Sequence, residues 1–240
     1  MKSFLYMLAV TAVVFITACS ENTVSHDDGE EGLTARVEFS EGRIATLEEI
    51  EIDVYVETET GDRISDMSSI VLEHRVGEGA EWEEIDLTAH EDHFTSMHRF
   101  MTSGDHMFKV MGSRHEGDAQ QVLYEMDDHM EIERAHMEMS GMLISFEHEG
   151  GEIHEGTTIG HSFWIEQMSG SGMMTGLAPT IICEESNGSI ESHSATEMES
   201  GRYWAEHMFN SAGEATMTVE FMTGGMMTQA SFSIPVAESH

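Results

Sequence analysis

The sequence predicts an all-β protein: two tandem immunoglobulin-like antiparallel β-sandwich domains after a lipoprotein signal peptide. Three observations carry this reading: a period-two apolar pattern, an internal repeat, and an apolar N-terminal stretch that ends in cysteine. Ile50, Ile52, Val54 and Val56 alternate with mostly polar residues, and so do Ile159, His161, Phe163 and Ile165. Alternation of this kind describes strands with one buried face, because successive side chains leave a strand on opposite sides. Phe94 to Gly104 aligns without a gap on Tyr203 to Gly213 at an offset of 109 residues, matching the aromatic, His98 with His207, Phe100 with Phe209, and the closing glycine. Downstream, Phe108 and Val110 fall on Met217 and Val219; upstream, Val37 and Phe39 stand opposite Ile144 and Phe146. Similarity over this length points to a duplicated domain rather than a short repeat unit. Ser103-Gly104-Asp105 and Ala212-Gly213-Glu214 read as hairpin turns, where glycine accepts a positive φ.

At the N-terminus, Lys2 supplies a positive charge, Phe4 to Ile16 is nearly all apolar, and Thr17, Ala18 and Cys19 follow. This order marks a secretory signal, and the apolar run is short for a membrane span. Ile16-Thr17-Ala18-Cys19 resembles the bacterial lipobox, which implies cleavage before Cys19 and acylation of its thiol. Ser20 in place of Asp then implies an outer-membrane destination, facing the periplasm or the cell surface. The expected organisation is a signal peptide over 1–18, an acidic tether over 19–32, a first sandwich over 33–128, a Met/His-rich linker over 129–139, and a second sandwich over 140–240.

Acidic residues number 46 against 10 basic ones, for a formal charge of -36. Nucleic acid is excluded as a partner by this balance, because phosphate binding needs clustered Lys and Arg. Acids spread along a chain with real apolar content suit a salt-adapted (halophilic) surface, where charge repulsion is screened. With Cys19 acylated, Cys183 is the one remaining thiol, and its apolar surroundings predict a buried structural cysteine. No nucleotide-binding glycine loop, HExxH or placed nucleophile is present, so no enzymatic activity is expected.

Gly201-Arg202-Tyr203, followed by Gly213 and an alternating strand, resembles the YtkA-like and FixH-like exported β-sandwiches. The resemblance covers the last strands of each repeat, with Asp92 in the place of Gly201 and Met217 in the place of Phe108. It implies handling of copper or a part in respiratory oxidase assembly. The chain has 21 Met and 15 His. Thioethers suit Cu(I), and imidazoles suit Cu(II), zinc or nickel. Three groups of candidate ligands follow. In the first domain, Met97, Met101, Met107 and Met111 would share one face of a hairpin, with His90 and His93 just before it. Met126, His129, Met130, His136, Met137, Met139 and Met142 crowd the expected linker. A looser third group holds His193, Met198, His207, Met208, Met222, Met226 and Met227. Methionine also fills gaps in cores, so packing competes with ligation for each group. His98, His106 and His207 fall on aromatic faces and read first as core histidines. The expected function is an envelope lipoprotein, held in the bilayer by Cys19, that binds copper or another soft transition metal for buffering, delivery or detoxification. The alternative is an interaction module whose tandem domains bind another envelope protein.

Overall fold

The computed structural model describes residues 32–115, 119–126, 129–170 and 172–239; the expected signal peptide, Cys19 and nearly all of the expected acidic tether lie outside them. The first sandwich is built from β1 (Leu33–Phe39), β2 (Ile44–Ala45), β3 (Glu49–Thr58), β4 (Arg63–Ile64), β5 (Ser69–Val76) and β6 (Glu83–Ile85). It is completed by β7 (Thr88–Ala89), β8 (Phe94–Arg99), β9 (Gly104–Ser113), β10 (Gln121–Glu125) and β11 (Met130–Glu133). One sheet runs β1-β3-β8-β7, and the other β2-β11-β9-β5-β6 with β10 also on β9. The second sandwich contains β12 (Ala135–Met139), β13 (Met142–His148), β14 (Thr158–Gln167), β15 (Gly172–Met173) and β16 (Thr180–Glu184). Then come β17 (Ile190–Ser194), β18 (Thr196–Glu199), β19 (Arg202–Met208), β20 (Gly213–Thr223) and β21 (Met226–Val236). Its sheets run β12-β13-β14-β19-β18 and β17-β16-β20-β21. The chain swaps sheets from β3 to β5 to β8 to β9, and again from β14 to β16 to β19 to β20. Such Greek-key wiring of two sheets, antiparallel apart from the short parallel pairing of β2 with β11, makes each unit an immunoglobulin-like sandwich.

Alternation places the cores as expected. Ile50, Ile52, Val54 and Val56 pack with Leu72, Phe108 and Val110 in one core, and Phe146, Phe163, Ile165, Ile181 and Val219 belong to the other. The repeat also extends further than the aligned segment: Leu72 opposite Val110 matches Ile181 opposite Val219, and His74 opposite Phe108 matches Cys183 opposite Met217. Cys183 is fully buried, and burial followed by Glu185 and Glu191 pushes its thiol up to about 12.

Two expectations need correction. The segments at Gly104 and Gly213 are not hairpin turns, because β8 and β9 lie in different sheets, as do β19 and β20. After buried Phe100 and Phe209 the chain arches across the end of the core, and Gly104 (φ 120°) and Gly213 (φ 113°) redirect it into the opposite sheet. Tight hairpins with positive φ at both central residues, as a type I′ turn requires, occur at Ser140-Gly141 (φ 50° and 77°) and Gly224-Gly225 (φ 56° and 81°). Nor is 129–139 a linker: β11 completes the first sandwich, and β12 pairs with β13 over its whole length.

The passage between sandwiches is short and held. The Thr46 amide donates to the Glu133 carbonyl at 2.9 Å, and the Ala135 amide donates to Thr46 Oγ1 at 2.9 Å, which pins the chain on both sides of Arg134. Because β12 runs away from this junction before β13 returns to it, the second sandwich presents its β13 end and its β19–β20 arch to the first. Thr102 donates to the Gly150 carbonyl at 3.3 Å, Ser103 to Glu147, and Arg99 to Glu214 at 3.0 Å, while Leu47 and Met101 pack on the second core. The two arches, and the strand ends that carry His98 and His207, therefore meet at the junction.

Candidate metal centre

Three inward-facing positions at the junction end of the first sandwich hold imidazole where the rest of the core holds hydrocarbon. On β5 the buried positions are Leu72 and His74; on β9 the buried alternating run includes His106, Phe108 and Val110; on β8, His98 follows Phe94 and Ser96 at the same spacing of two. The rings of His74 and His106 stack at 5.5 Å with an interplanar angle of 7°, and His98 meets His74 edge-on at 5.5 Å. Phe100 lies edge-on to all three. The cluster opens into a cleft of about 270 Å³ also lined by Met101, Glu83 and Glu152, the last supplied by the second sandwich.

The hydrogen bonds restrict the tautomers. His106 Nε2 lies 2.8 Å from the Thr102 carbonyl, which can only accept, so Nε2 carries a proton and Nδ1 presents a lone pair. That Nδ1 lies 3.3 Å from His74 Nδ1. The other nitrogen of His74, Nε2, faces a Glu83 carboxylate oxygen at 3.6 Å. If His74 turns its proton toward Glu83, two lone pairs confront each other across 3.3 Å, an arrangement that a cation between them resolves. Burial, with the mutual influence of the imidazoles, lowers His74 and His98 to about 4, and burial also lowers His106 against the Thr102 carbonyl and Asp105. All three are neutral at pH 7, the protonation state in which imidazole ligates a metal. His74 and His106 thus bring two ring nitrogens to within 3.3 Å of each other, and His98 and Met101 line the same cleft.

The candidate ligands of the expected linker and of the expected first-domain hairpin do not assemble into a site. Met126 and Met130 pack against the first core and Met137, Met139 and Met142 against the second, so the crowded stretch divides between two interiors. His129 pairs with Asp105 at 3.4 Å, and exposed His136 lies 3.2 Å from its neighbour's carbonyl at Arg134. The proposed hairpin face fails because its strands belong to different sheets: Met97 is 58% exposed, the Met107 sulfur receives an Arg75 N–H at 3.4 Å, and Met111 stands between Val71 and Val122. Met101 alone of the four reaches the cleft. His90 and His93 stack at 5.0 Å on the surface, where His93 is held by Asp92 and Asp53. Sequence reasoning missed His74 and Glu83 altogether, and treated His98 and His106 as core.

No protein family matches the chain, and no curated protein matches it. Among solved structures, the Escherichia coli adhesin FdeC is 18% identical, with a TM-score of 0.32, over 85% of this chain and 64% of its own. The Yersinia pseudotuberculosis adhesin InvE is 8% identical, with a TM-score of 0.35, over 86% of this chain and 61% of its own. The FN1–FN3 domains of chicken CNTN1 are 13% identical, with a TM-score of 0.32, over 85% of this chain and 65% of theirs. The chain thus spans less than two thirds of the length of each, and the fold assignment rests on the strand order of its own four sheets.

Proposed function

We propose that the protein is an acylated envelope lipoprotein that binds copper, or another soft transition metal, without turnover. The observation that carries this reading is the facing pair of Nδ1 atoms of His74 and His106, 3.3 Å apart, whose remaining nitrogens are directed at oxygen acceptors. Metal ligands are usually oriented in this way, the non-ligating imidazole nitrogen being held by a carboxylate or a carbonyl. Support also comes from Met101 in the same cleft, from neutral imidazoles at pH 7, from the Met- and His-rich composition, and from the resemblance to YtkA-like and FixH-like domains. The lipobox-like segment ending at Cys19 supports anchoring in a bilayer, with delivery to or from another envelope protein as the role.

Anaerobic competition against a Cu(I) chelator tests the reading. The parent protein should bind Cu(I), and His106→Gln or His98→Ala should lower its affinity at least tenfold with the melt retained. Replacing Met126, Met130, Met137, Met139 and Met142 together with Leu should leave the affinity within about threefold, because those side chains serve as packing of similar volume. If the parent binds neither Cu(I) nor Cu(II) above an equally acidic control, the copper reading fails and the tandem domains are an interaction module.

A further inference from the structure

His207 stands in the second sandwich where His98 stands in the first, but Cys183 and Ala215 replace His74 and His106, so the imidazole triad is not repeated. A different set of donors surrounds His207. His193 Nε2, on β17, lies 3.1 Å from His207 Nδ1. The Glu191 Oε2 atom, on the same strand, is 3.7 Å from His193 Nε2 and 3.8 Å from His207 Nδ1. Two residues apart on a strand, Glu191 and His193 project from one face toward β19. These three ligand atoms all lie within 4.8 Å of one another.

We propose that the second sandwich carries a separate binding site for a borderline divalent cation, of the Zn(II) class, formed by His193 Nε2, His207 Nδ1 and Glu191 Oε2. A tetrahedral ion with metal–nitrogen and metal–oxygen bonds of about 2.0–2.1 Å holds its ligand atoms about 3.3–3.5 Å apart. The three observed edges of 3.1, 3.7 and 3.8 Å bracket that spacing, so an ion fits with small side-chain adjustments. The His207 ring is already oriented for ligation, since its other nitrogen, Nε2, faces Glu185 Oε1 at 3.3 Å, and both side chains are 1% exposed. A proton on Nε2, directed at that carboxylate, leaves the Nδ1 lone pair for the ion. Glu185 is itself fixed, accepting from the Asn210 amide at 2.9 Å, from Asn210 Nδ2 at 3.1 Å and from Ser211 Oγ at 3.0 Å. Burial raises the Glu185 carboxyl, but these donors and His207 outweigh it and keep the group ionised. Behind the site, His161 is fully buried, and burial followed by its histidine neighbours lowers it to about 3, so it is neutral and adds no charge to repel a cation.

Selectivity follows from the donors. Two imidazoles and a carboxylate, with no thioether in the set, suit Zn(II) or Cu(II) and hold Cu(I) poorly. Glu191 is 48% exposed and His193 35%, so the fourth coordination position faces solvent and can take water or an incoming donor. This site stands on its own observations and does not require copper in the first sandwich.

The test titrates the full-length protein with Zn(II) against a chromogenic chelator in 1 M NaCl, which screens diffuse binding by surface acids. One Zn(II) should bind, and His193→Gln or Glu191→Gln should each weaken it at least tenfold. Both residues are solvent-accessible, so a circular-dichroism melt should show the fold retained. His106→Gln should leave Zn(II) affinity unchanged, which separates this site from the copper cleft. Absence of Zn(II) binding by the parent, or equal affinity in the His193→Gln, Glu191→Gln double variant, overturns the proposal.

Discussion

Each histidine that closes the junction end of a core occupies an inward position whose alternative is an apolar side chain, and each carries a cost that depends on pH. An imidazole buried against Phe100 or Phe209 is depressed because its cation loses solvation that the core does not replace. His74 and His98 fall to about 4 and His161 to about 3, against 6.5 for the free side chain. The unfolded chain therefore takes up protons at these positions between pH 6.5 and about 4, while the folded one does not. Stability is fully present above pH 6.5 and is lost as the pH falls toward 4. At His106 the Thr102 carbonyl and Asp105 moderate the loss without reversing it. For His74 the weakening is about 3 kcal/mol by pH 4. Thermal melts of metal-free protein should show the midpoint falling steadily from pH 7 to pH 4.5, and His74→Phe should flatten that slope. A midpoint independent of pH over this interval would mean that the imidazoles are solvated.

At the scale of elements, the junction depends on Thr46. Its hydroxyl accepts the Ala135 amide, and both residues are buried, with Thr46 2% and Ala135 7% exposed. Thr46→Val keeps the shape and removes the acceptor, leaving a buried N–H unpaired at a cost of about 1–3 kcal/mol. Chemical denaturation should show that loss, and amide exchange at Ala135 should accelerate. Thr46→Ser should restore both. This contact was not legible in the sequence, because it joins residues 89 apart and the stretch around Ala135 reads as linker by its Met and His content. The strands were legible, since alternation reports a buried face directly: Ile50 to Val56 and Phe163 to Ile165 lie where the pattern puts them. Sheet membership was not, because a glycine of positive φ serves a hairpin and an arch equally, and Gly104 and Gly213 turned out to serve arches. The centre was half legible for the same reason. His98 and His106 could be assigned an inward face, but their partner His74 is 24 and 32 residues away on another strand, and only the arch brings the three together.

For the whole molecule, the acid excess leaves few cations, and six of the ten basic residues lie against aromatic rings. Arg36 and Arg63 flank Tyr55, Arg75 and Lys109 flank Trp82, and Arg134 and Arg202 contact Trp164, each within 5.4 Å of the ring centre. The net formal charge of -36 opposes compaction unless salt screens it, and raising salt from 0.1 to 1 M shortens the screening length from about 10 to about 3 Å. Tests of domain autonomy therefore belong in high salt, and they turn on β12. This strand covers the edge of β13 over five paired positions and sets Met137 and Met139 on the second core. A fragment of residues 135–240 keeps that cover, along with every ligand of the second-sandwich site. A fragment beginning at residue 140 leaves β13 as a bare edge, with unpaired backbone groups and buried Met142 exposed beside it. In 1 M NaCl the 135–240 fragment should melt cooperatively and bind Zn(II) as the full chain does. The 140–240 fragment should melt at least 5 °C lower, since 1 kcal/mol moves the midpoint of a domain this size by roughly 4–8 °C. Equal midpoints would show that β12 belongs to the junction alone, and a non-cooperative melt of the longer fragment would show that the two sandwiches depend on each other for folding.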